Sequence, residues 1–545
     1  MSLVSLPGNY DNIEPYFEDA RIIRVLVKYI KEKSKSKQKR LLIVTGPRDV
    51  GKTLYVWLAA WQASFELSRK LERIESRNSQ TENPHGQKSD KNSGELLWVL
   101  YPVYLECPQI HQVGSRDLIY GGKRIQLIPV YIVDNAHLCR DSNVLTSLNG
   151  VLILIYPSYP VPELRRLRAD EVQIVPFRFV EVVEVLRKDV RSLLTQVNHY
   201  QAEDRIKNIF DFEKLFEITQ KIYENLGSEL DRIMHYYLLF GGTAWGIELI
   251  AKRLKETYNV NNSISTNIFN SFFDTMLDIL EDAEQYGVKP DAVRATLYYI
   301  AEKIFEKGLE IEENELHKDI LNFAREITTV KLIEDDIRKA RKFLRDSHIL
   351  FEIRRERESG EKTGKGVETT SAKQSEQKGG KSYLKLTFSD PRYALGAYMH
   401  YYHYVKETTY IDVIKNIAEK IVENHVELSH YFESIFLSNL ALGAYALVVS
   451  RDKSKRNLYV DKFVRYVKDD NTEIDAVVTI RQGDKKPIQF LAEFSVSYDR
   501  GHVDKCRKIA KNLGKNCIYA VMNYDQVELE DNVLIAPLSA ALLLL

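Results

Sequence analysis

The feature that most constrains this chain is the segment Gly46-Pro47-Arg48-Asp49-Val50-Gly51-Lys52-Thr53, set between the apolar run Leu41-Leu42-Ile43-Val44 and a helical pattern opening at Lys52. A loop of this composition turns tightly enough for its backbone N–H groups to surround phosphate oxygens, and the helix that follows aims its positive dipole end at them. In that arrangement Lys52 reaches the terminal phosphates and the Thr53 hydroxyl binds Mg²⁺. The expected ligands are ATP and Mg²⁺, with Gly46, Pro47, Arg48, Asp49, Val50, Gly51, Lys52, Thr53 and Leu54 forming the cradle.

A loop of this kind belongs at the edge of a parallel sheet. Runs that read as strands, Leu41–Thr45, Leu97–Glu106, Val130–Asp134, Val151–Tyr156 and Val172–Val175, alternate with helical or loop segments, which argues for helices packed on both faces of parallel strands. The expected fold class is therefore α/β. With 545 residues, 44% of them hydrophobic, the chain exceeds a single core, and a multidomain architecture follows.

Chemistry at the loop needs a carboxylate at the end of a second buried strand to hold the Mg²⁺ shell. Val130-Tyr131-Ile132-Val133-Asp134 supplies it, with Asp134 in the Walker B role. The next residue is Asn135, whose carboxamide cannot take a proton from water. The base is then expected elsewhere: Glu106, at the end of its own strand, is either that base or a solvated strand end, and His137 is the weaker candidate. Ser158, after Val151–Tyr156, either bonds the terminal phosphate or sits in an ordinary turn. The cluster Arg165-Arg166-Leu167-Arg168 either donates an arginine finger across a subunit interface, with Arg165 and Arg168 the chosen residues, or forms a solvated basic helix end.

These motifs together resemble the archaeal ATPase family, a branch of the P-loop ATPases related to the AAA+ and STAND groups. The matching order is Phe17-x-x-x-Arg21, GPRDVGKT, VYIVDN, a strand ending near Ser158, the arginine cluster, VPFRFVEVVEVL at Val175–Leu186, and Gly241-Gly242-Thr243. Asn135 departs from that pattern, as do Ala244-Trp245, where Pro and a basic residue are usual. The resemblance implies an ATPase core over 1–210, a helical lid over 211–288, a winged helix over 289–405 and a PD-(D/E)XK nuclease-like domain over 406–545.

The residues of the later segments agree with that order. Phe212 to about His348 is 3.6-periodic apart from the Gly241-Gly242 turn. In Ile337–His348 the apolar Ile337, Ala340 and Leu344 share one face, while Arg338, Lys339, Arg341, Lys342 and Arg345 fall on the others. That pattern is either a recognition helix contacting DNA phosphates or a solvated face with internal ion pairs. Ile349–Arg354 and Tyr383–Phe388 are the expected wing strands. Ser76–Glu95 and Glu356–Lys381 are polar stretches inside domains and read as disordered insertions.

Further along, Glu473 and Asp475 share one strand face, where Glu493 of the next strand and Glu433 of the preceding helix can join them. Asp475 and Glu493 are the expected metal ligands. Where nucleases of the PD-(D/E)XK type carry Lys two residues after the second acid, this chain has Ser495, so either Lys505 or Lys508 has taken that role or the domain is catalytically silent.

Composition adds bounds. Lys+Arg and Asp+Glu both total 77, so a nucleic-acid surface must be a local patch. The four cysteines form no CxxC pair and read as reduced structural thiols. No apolar run approaches the length of a membrane span and the first residues do not resemble a signal peptide, so a cytoplasmic protein is expected. The reading is a DNA-acting ATPase that works as a homo-oligomer. The competing reading is a STAND-type signalling or scaffold ATPase in which ATP drives assembly without DNA.

Overall fold

The computed structural model describes residues 17, 20–35, 41–80, 97–106, 116–120, 123–136, 139, 150–156, 169–187, 212–255, 266–356, 382–407, 409–442, 448–449, 460–468, 473–482 and 488–544. It divides into two compact units, residues 1–175 with 446–458, and residues 176–445 with 459–545. No helix among the described residues is long and apolar enough to cross a membrane.

The first unit is built on a sheet. Its elements are α1 (Arg21–Lys35), β1 (Leu41–Thr45), α2 (Lys52–Gln80), β2 (Leu97–Glu106), β3 (Arg116–Tyr120), β4 (Lys123–Asp134), β5 (Val151–Ile155) and β6 (Asp170–Gln173). Five strands are parallel, in the spatial order β6-β1-β5-β4-β2. Two antiparallel additions complete the sheet: β3 on β4, and the short strand Val448–Val449 on β6. Every residue of β1 and β5 is buried, as a strand covered on both faces requires. Phe17, fully buried, packs at a tilt against Tyr55 of α2 with ring centroids 5.4 Å apart.

One expectation is corrected here. α2 runs on to Gln80, five residues into the stretch 76–95 read as an insertion. An established helix extends at the cost of fixing one residue per added hydrogen bond, so a polar tail can continue it. Residues 81–95 lie outside the described residues, as do 357–381 of the second expected insertion.

The second unit opens with α3 (Phe179–Leu186), then α4 (Phe212–Phe240), α5 (Ala244–Leu254), α6 (Thr266–Gln285) and α7 (Pro290–Glu302). There follow β7 (Glu310–Glu312), α8 (Leu316–Ile327), α9 (Glu334–Asp346), β8 (Leu350–Glu356) and β9 (Tyr383–Phe388). The run α7-β7-α8-α9-β8-β9, where a winged helix was expected, ends in a hairpin with β9 antiparallel to both β7 and β8. Next come α10 (Pro391–Tyr404), α11 (Tyr410–Val422), α12 (Ser429–Leu442), β10 (Val460–Lys468), β11 (Glu473–Gln482) and β12 (Ile488–Ser497). The chain closes with α13 (Arg500–Leu513), β13 (Cys517–Asn523), β14 (Glu528–Glu530), β15 (Val533–Pro537) and α14 (Leu538–Leu544).

The β8–β9 hairpin does not close its sheet. β8 pairs in parallel with β10, so the hairpin and the C-terminal strands form one mixed sheet in the order β14-β15-β13-β12-β11-β10-β8-β9-β7. On its C-terminal part Val503, Cys506 and Ala510 of α13 cover Leu491, Tyr519, Val521 and Ile535.

The cysteines are a second correction. Cys506 and Cys517, both fully buried, are joined as a disulfide with Cα atoms 5.9 Å apart, and Cys139 is also disulfide-bonded. The helix-to-strand return over eleven residues sets Cys506 above the first residue of β13, which no CxxC spacing would reveal.

Candidate functional site

The loop after β1 takes the shape its glycines permit. Gly46, Asp49 and Gly51 all have positive φ, +149°, +59° and +97°, and Asp is among the few side chains that tolerate this region. Gly46 has a further reason to be glycine: a Cβ there would stand 2.0 Å from the Ile174 carbonyl oxygen. α2 starts at Lys52, whose ammonium is buried and donates to the carbonyls of Gly46 at 2.9 Å and Pro47 at 2.7 Å. The cation is thereby tethered inside the loop.

Sheet order brings the second half of the site to this loop. β5 alone separates β1 from β4, so the ends of β1 and β4 open on the same sheet edge. There the Thr53 hydroxyl donates to Asp134 Oδ2 at 2.6 Å, and Tyr104 of β2 donates to the same oxygen at 3.2 Å. The backbone N–H of Asn135 donates to Asp134 Oδ1 at 2.8 Å. Asn135 has φ +49°, a left-handed conformation that Asn adopts more readily than Glu, which accounts for a carboxamide where a carboxylate was expected. Tyr104 was not foreseen; its place in β2 becomes visible only once the register with β4 is known.

In that register Glu106 lies directly beside Asp134 on the neighbouring parallel strand. Its side chain lies outside the described residues, as do His137, Ser158, Arg165 and Arg168. Arg48 is half-buried, Asp49 exposed, Val50 and Leu54 buried.

The donor set fits a magnesium nucleotide. A hydroxyl and a carboxylate in direct contact are oxygen ligands of the kind Mg²⁺ takes, usually one or two from protein with the rest from water and phosphate. The loop beside them combines positive-φ backbone, a buried ammonium and a helix N-terminus, all suited to polyphosphate.

In the second unit the segments resembling the family meet at one buried carboxylate. Asp390, which caps α10, accepts from the N–H groups of Gly242 at 2.6 Å and Arg392 at 2.8 Å. Gly241 has φ +74°, and a Cβ there would lie 1.9 Å from Asp390 Oδ1. Gly242 bonds Phe177 of the Pro176-Phe177-Arg178-Phe179 segment, its carbonyl accepting from Phe177 N at 2.8 Å. Burial pushes the Asp390 carboxyl up to about 6, against the two backbone donors and Arg392. Arg392 itself stacks 4.5 Å over Trp245, the residue standing where a basic side chain was expected.

The expected recognition helix, α9, has most of its cations already engaged. Arg341 is buried and bonds Glu352 of β8 at 2.6 Å and His317 at 3.3 Å. Arg338 and Lys339 pair with Asp335 at 3.3 and 2.9 Å, and Arg345 with Asp346 at 3.2 Å. Lys342 is exposed. The acids Glu334, Asp335 and Asp336 fill the first turn of α9, where the helix dipole favours them.

The C-terminal carboxylates do converge, but on a lysine. Lys385, carried by β9 and 4% exposed, places its ammonium 2.8 Å from Glu433, 3.3 Å from Glu473 and 3.3 Å from Asp475. Burial alone would lower this lysine's proton affinity; Asp475 and Glu433 reverse that and hold it well above the ordinary range. Asp475 is pushed well above the carboxylate range by burial and then by Glu493. Glu493, 1% exposed, accepts from His502 at 2.7 Å and from Lys505. Asp475 and Glu493 are also tied to backbone: Phe494 N donates to Asp475 Oδ2 at 2.9 Å and Asp475 N to Glu493 Oε2 at 3.2 Å. Among the described residues no group of three or more His, Cys, Asp or Glu is arranged for a metal, and the Lys385 ammonium stands among Glu433, Glu473 and Asp475.

No family model matches the sequence, and no curated protein matches it. Among solved structures, the Aeropyrum pernix ORC2 protein in ADPNP–ADP complexes is similar over 74% of this chain and 92% of that one, at 10% identity and a TM-score of 0.29. Drosophila ORC bound to DNA is similar over 65% of this chain and 89% of that one, at 10% identity and a TM-score of 0.18. Superpositions this loose transfer neither a fold nor a residue's role.

Proposed function

We propose that this chain is an ATP-binding P-loop ATPase that couples nucleotide state to its winged-helix and C-terminal half and acts on DNA as a homo-oligomer. The observation carrying the reading is the 2.6 Å bond between Thr53 and Asp134, beside a buried Lys52 and a loop of positive-φ backbone. Thr53 and Asp134 would hold Mg²⁺, while Gly46–Leu54 and Ser158 would hold ATP. Magnesium ATP, when bound, supplies the phosphoanhydride bond and neutralises charge on its own phosphates. Lys52 binds and orients the terminal phosphates, and Tyr104 fixes the rotamer of Asp134.

Glu106 is the residue proposed to accept the proton of the attacking water, because it stands beside Asp134 in register and Asn135 cannot do so. Arg165 and Arg168 are proposed to stabilise phosphoryl charge across a subunit interface. The C-terminal half is proposed as a silent nuclease-like domain, supported by the ammonium of Lys385 among its carboxylates. Its proposed part is to carry wing movements through the shared sheet.

A second reading, the STAND-type scaffold ATPase that assembles without DNA, is favoured by the ion pairs that already engage Arg338, Lys339, Arg341 and Arg345. ATP turnover with and without duplex DNA separates the two. DNA-stimulated turnover, lost in Glu106→Gln while ATP binding persists, supports the first; nucleotide-dependent assembly with DNA-independent turnover supports the second. Absence of ATP binding contradicts both.

A further inference from the structure

The second unit contains a cavity of about 420 Å³ remote in sequence from the phosphate loop, walled by α4, the turn after α11, the end of β13 and the start of α14. That volume lies within the range of small-molecule sites. α4 contributes the central group. Gly227 lets the Tyr223 ring lie along the helix, 3.0 Å from where a Cβ would be, and the Tyr223 hydroxyl then donates to Asp231 at 3.0 Å. Ser539 of α14 donates to the other oxygen of Asp231. Asp525, exposed at the rim, faces the same Tyr223 hydroxyl closely enough to oppose its ionisation.

We propose that this cavity binds a small organic cation, an amine or guanidinium on a short apolar body. Charge is the first argument. Two carboxylates, Asp231 and Asp525, line the cavity and no lysine or arginine does, so an anionic ligand would be repelled and a cation attracted. His235 does not supply the missing charge, because burial lowers its proton affinity; its Nε2 lies 3.2 Å from Asn424 Oδ1. The second argument is capacity. A carboxylate offers about four acceptor positions, and two hydroxyl donors leave Asp231 able to accept from a ligand N–H. Burial also pushes the Asp231 carboxyl upward, so an incoming cation would gain more there than at a solvated acid.

Shape and lining decide against an inorganic ion. Met234, Met522 and Leu538 give the cavity apolar wall, with Tyr223 and Tyr524 also in its lining. A hard divalent cation instead demands about six oxygen ligands, which this lining does not converge.

Calorimetric titration of the full chain with agmatine and cadaverine tests the proposal, with glutarate as the anionic counterpart. Saturable binding of either amine, no heat from glutarate, affinity weakened about tenfold or more in Asp231→Asn, tenfold being 1.4 kcal/mol, and a smaller loss of about twofold to fivefold in the exposed-site variant Asp525→Asn are the expected results. Asp525→Asn keeps the test valid if the buried variant fails to fold. Silence with both amines at millimolar concentration, equal binding of glutarate, or binding unaffected by either substitution would overturn it. ATP binding at the phosphate loop should be unchanged in Asp525→Asn.

Discussion

Replacing Lys385 by methionine removes one charge from the centre of three carboxylates while keeping most of the side-chain volume. Breaking a buried ion pair from one side costs about 3–5 kcal/mol, because the remaining charge stays desolvated. Here the loss falls near the lower end. Asp475 already has a raised proton affinity and can neutralise itself, and Glu473 is 30% exposed and partly served by water. A cost of about 3 kcal/mol corresponds to roughly a hundredfold change in a local opening constant. Native-state hydrogen exchange read by mass spectrometry should therefore show amides in Tyr383–Phe388 and Glu473–Gln482 exchanging roughly a hundredfold faster in Lys385→Met at neutral pH. Glu433 adds a pH signature. Burial would raise its carboxyl, but Lys385 holds it below the ordinary range, so its contribution is present above that range and fades as pH falls through the lowered value. The variant lacks this contribution, and the stability gap should close towards acid pH. Unchanged exchange in both segments would refute the claim that the ammonium anchors β9 to the C-terminal strands.

Other consequences concern the buried carboxylate that joins the family-like segments. Asp390 titrates near 6 in the fold against an ordinary value of 3.8, a displacement corresponding to roughly 3 kcal/mol. Its folded form binds the proton more tightly, so the contribution is complete below about pH 4 and is lost as pH rises through 6. Urea midpoints of the second unit should fall over that interval in wild type, and Asp390→Asn should flatten the fall whatever its absolute cost; an unchanged slope contradicts the assignment. Gly241→Ala forces a side chain into φ +74° and against Asp390 Oδ1, which should cost about 3 kcal/mol or more and show as a lowered urea midpoint. A midpoint equal to wild type would mean that the fold does not depend on this turn.

How much of this was legible beforehand depends on where each residue's partners lie. β1, β2 and β9 follow the expected bounds because each is an apolar run closed by turn residues or charge. β3 was missed, since Arg116-Asp117-Leu118-Ile119-Tyr120 is short, half polar, and made a strand only by pairing with β4. At the candidate site, Lys52, Thr53 and Asp134 could be read because loop, helix start and strand end are local motifs. Tyr104 could not, because its bond to Asp134 depends on strand register. Lys385 was hidden by the alternation in Tyr-Leu-Lys-Leu-Thr-Phe, which puts Lys385 and Thr387 on the face that looks solvent-bound. In the fold that face is covered too, and both residues are buried. A lysine filling an acidic centre from ninety residues away leaves no local trace.

The central claim is nucleotide binding at Gly46–Thr53, and titration of the full chain with a fluorescent ATP analogue in the presence of Mg²⁺ tests it most directly. Wild type should bind saturably. Lys52→Ala, which removes the ammonium buried against the Gly46 and Pro47 carbonyls, should weaken binding about tenfold or more, in line with the 1.5–3 kcal/mol typical of a charged hydrogen-bonding group. Equal affinity in the two proteins, or no binding by wild type, would contradict the account.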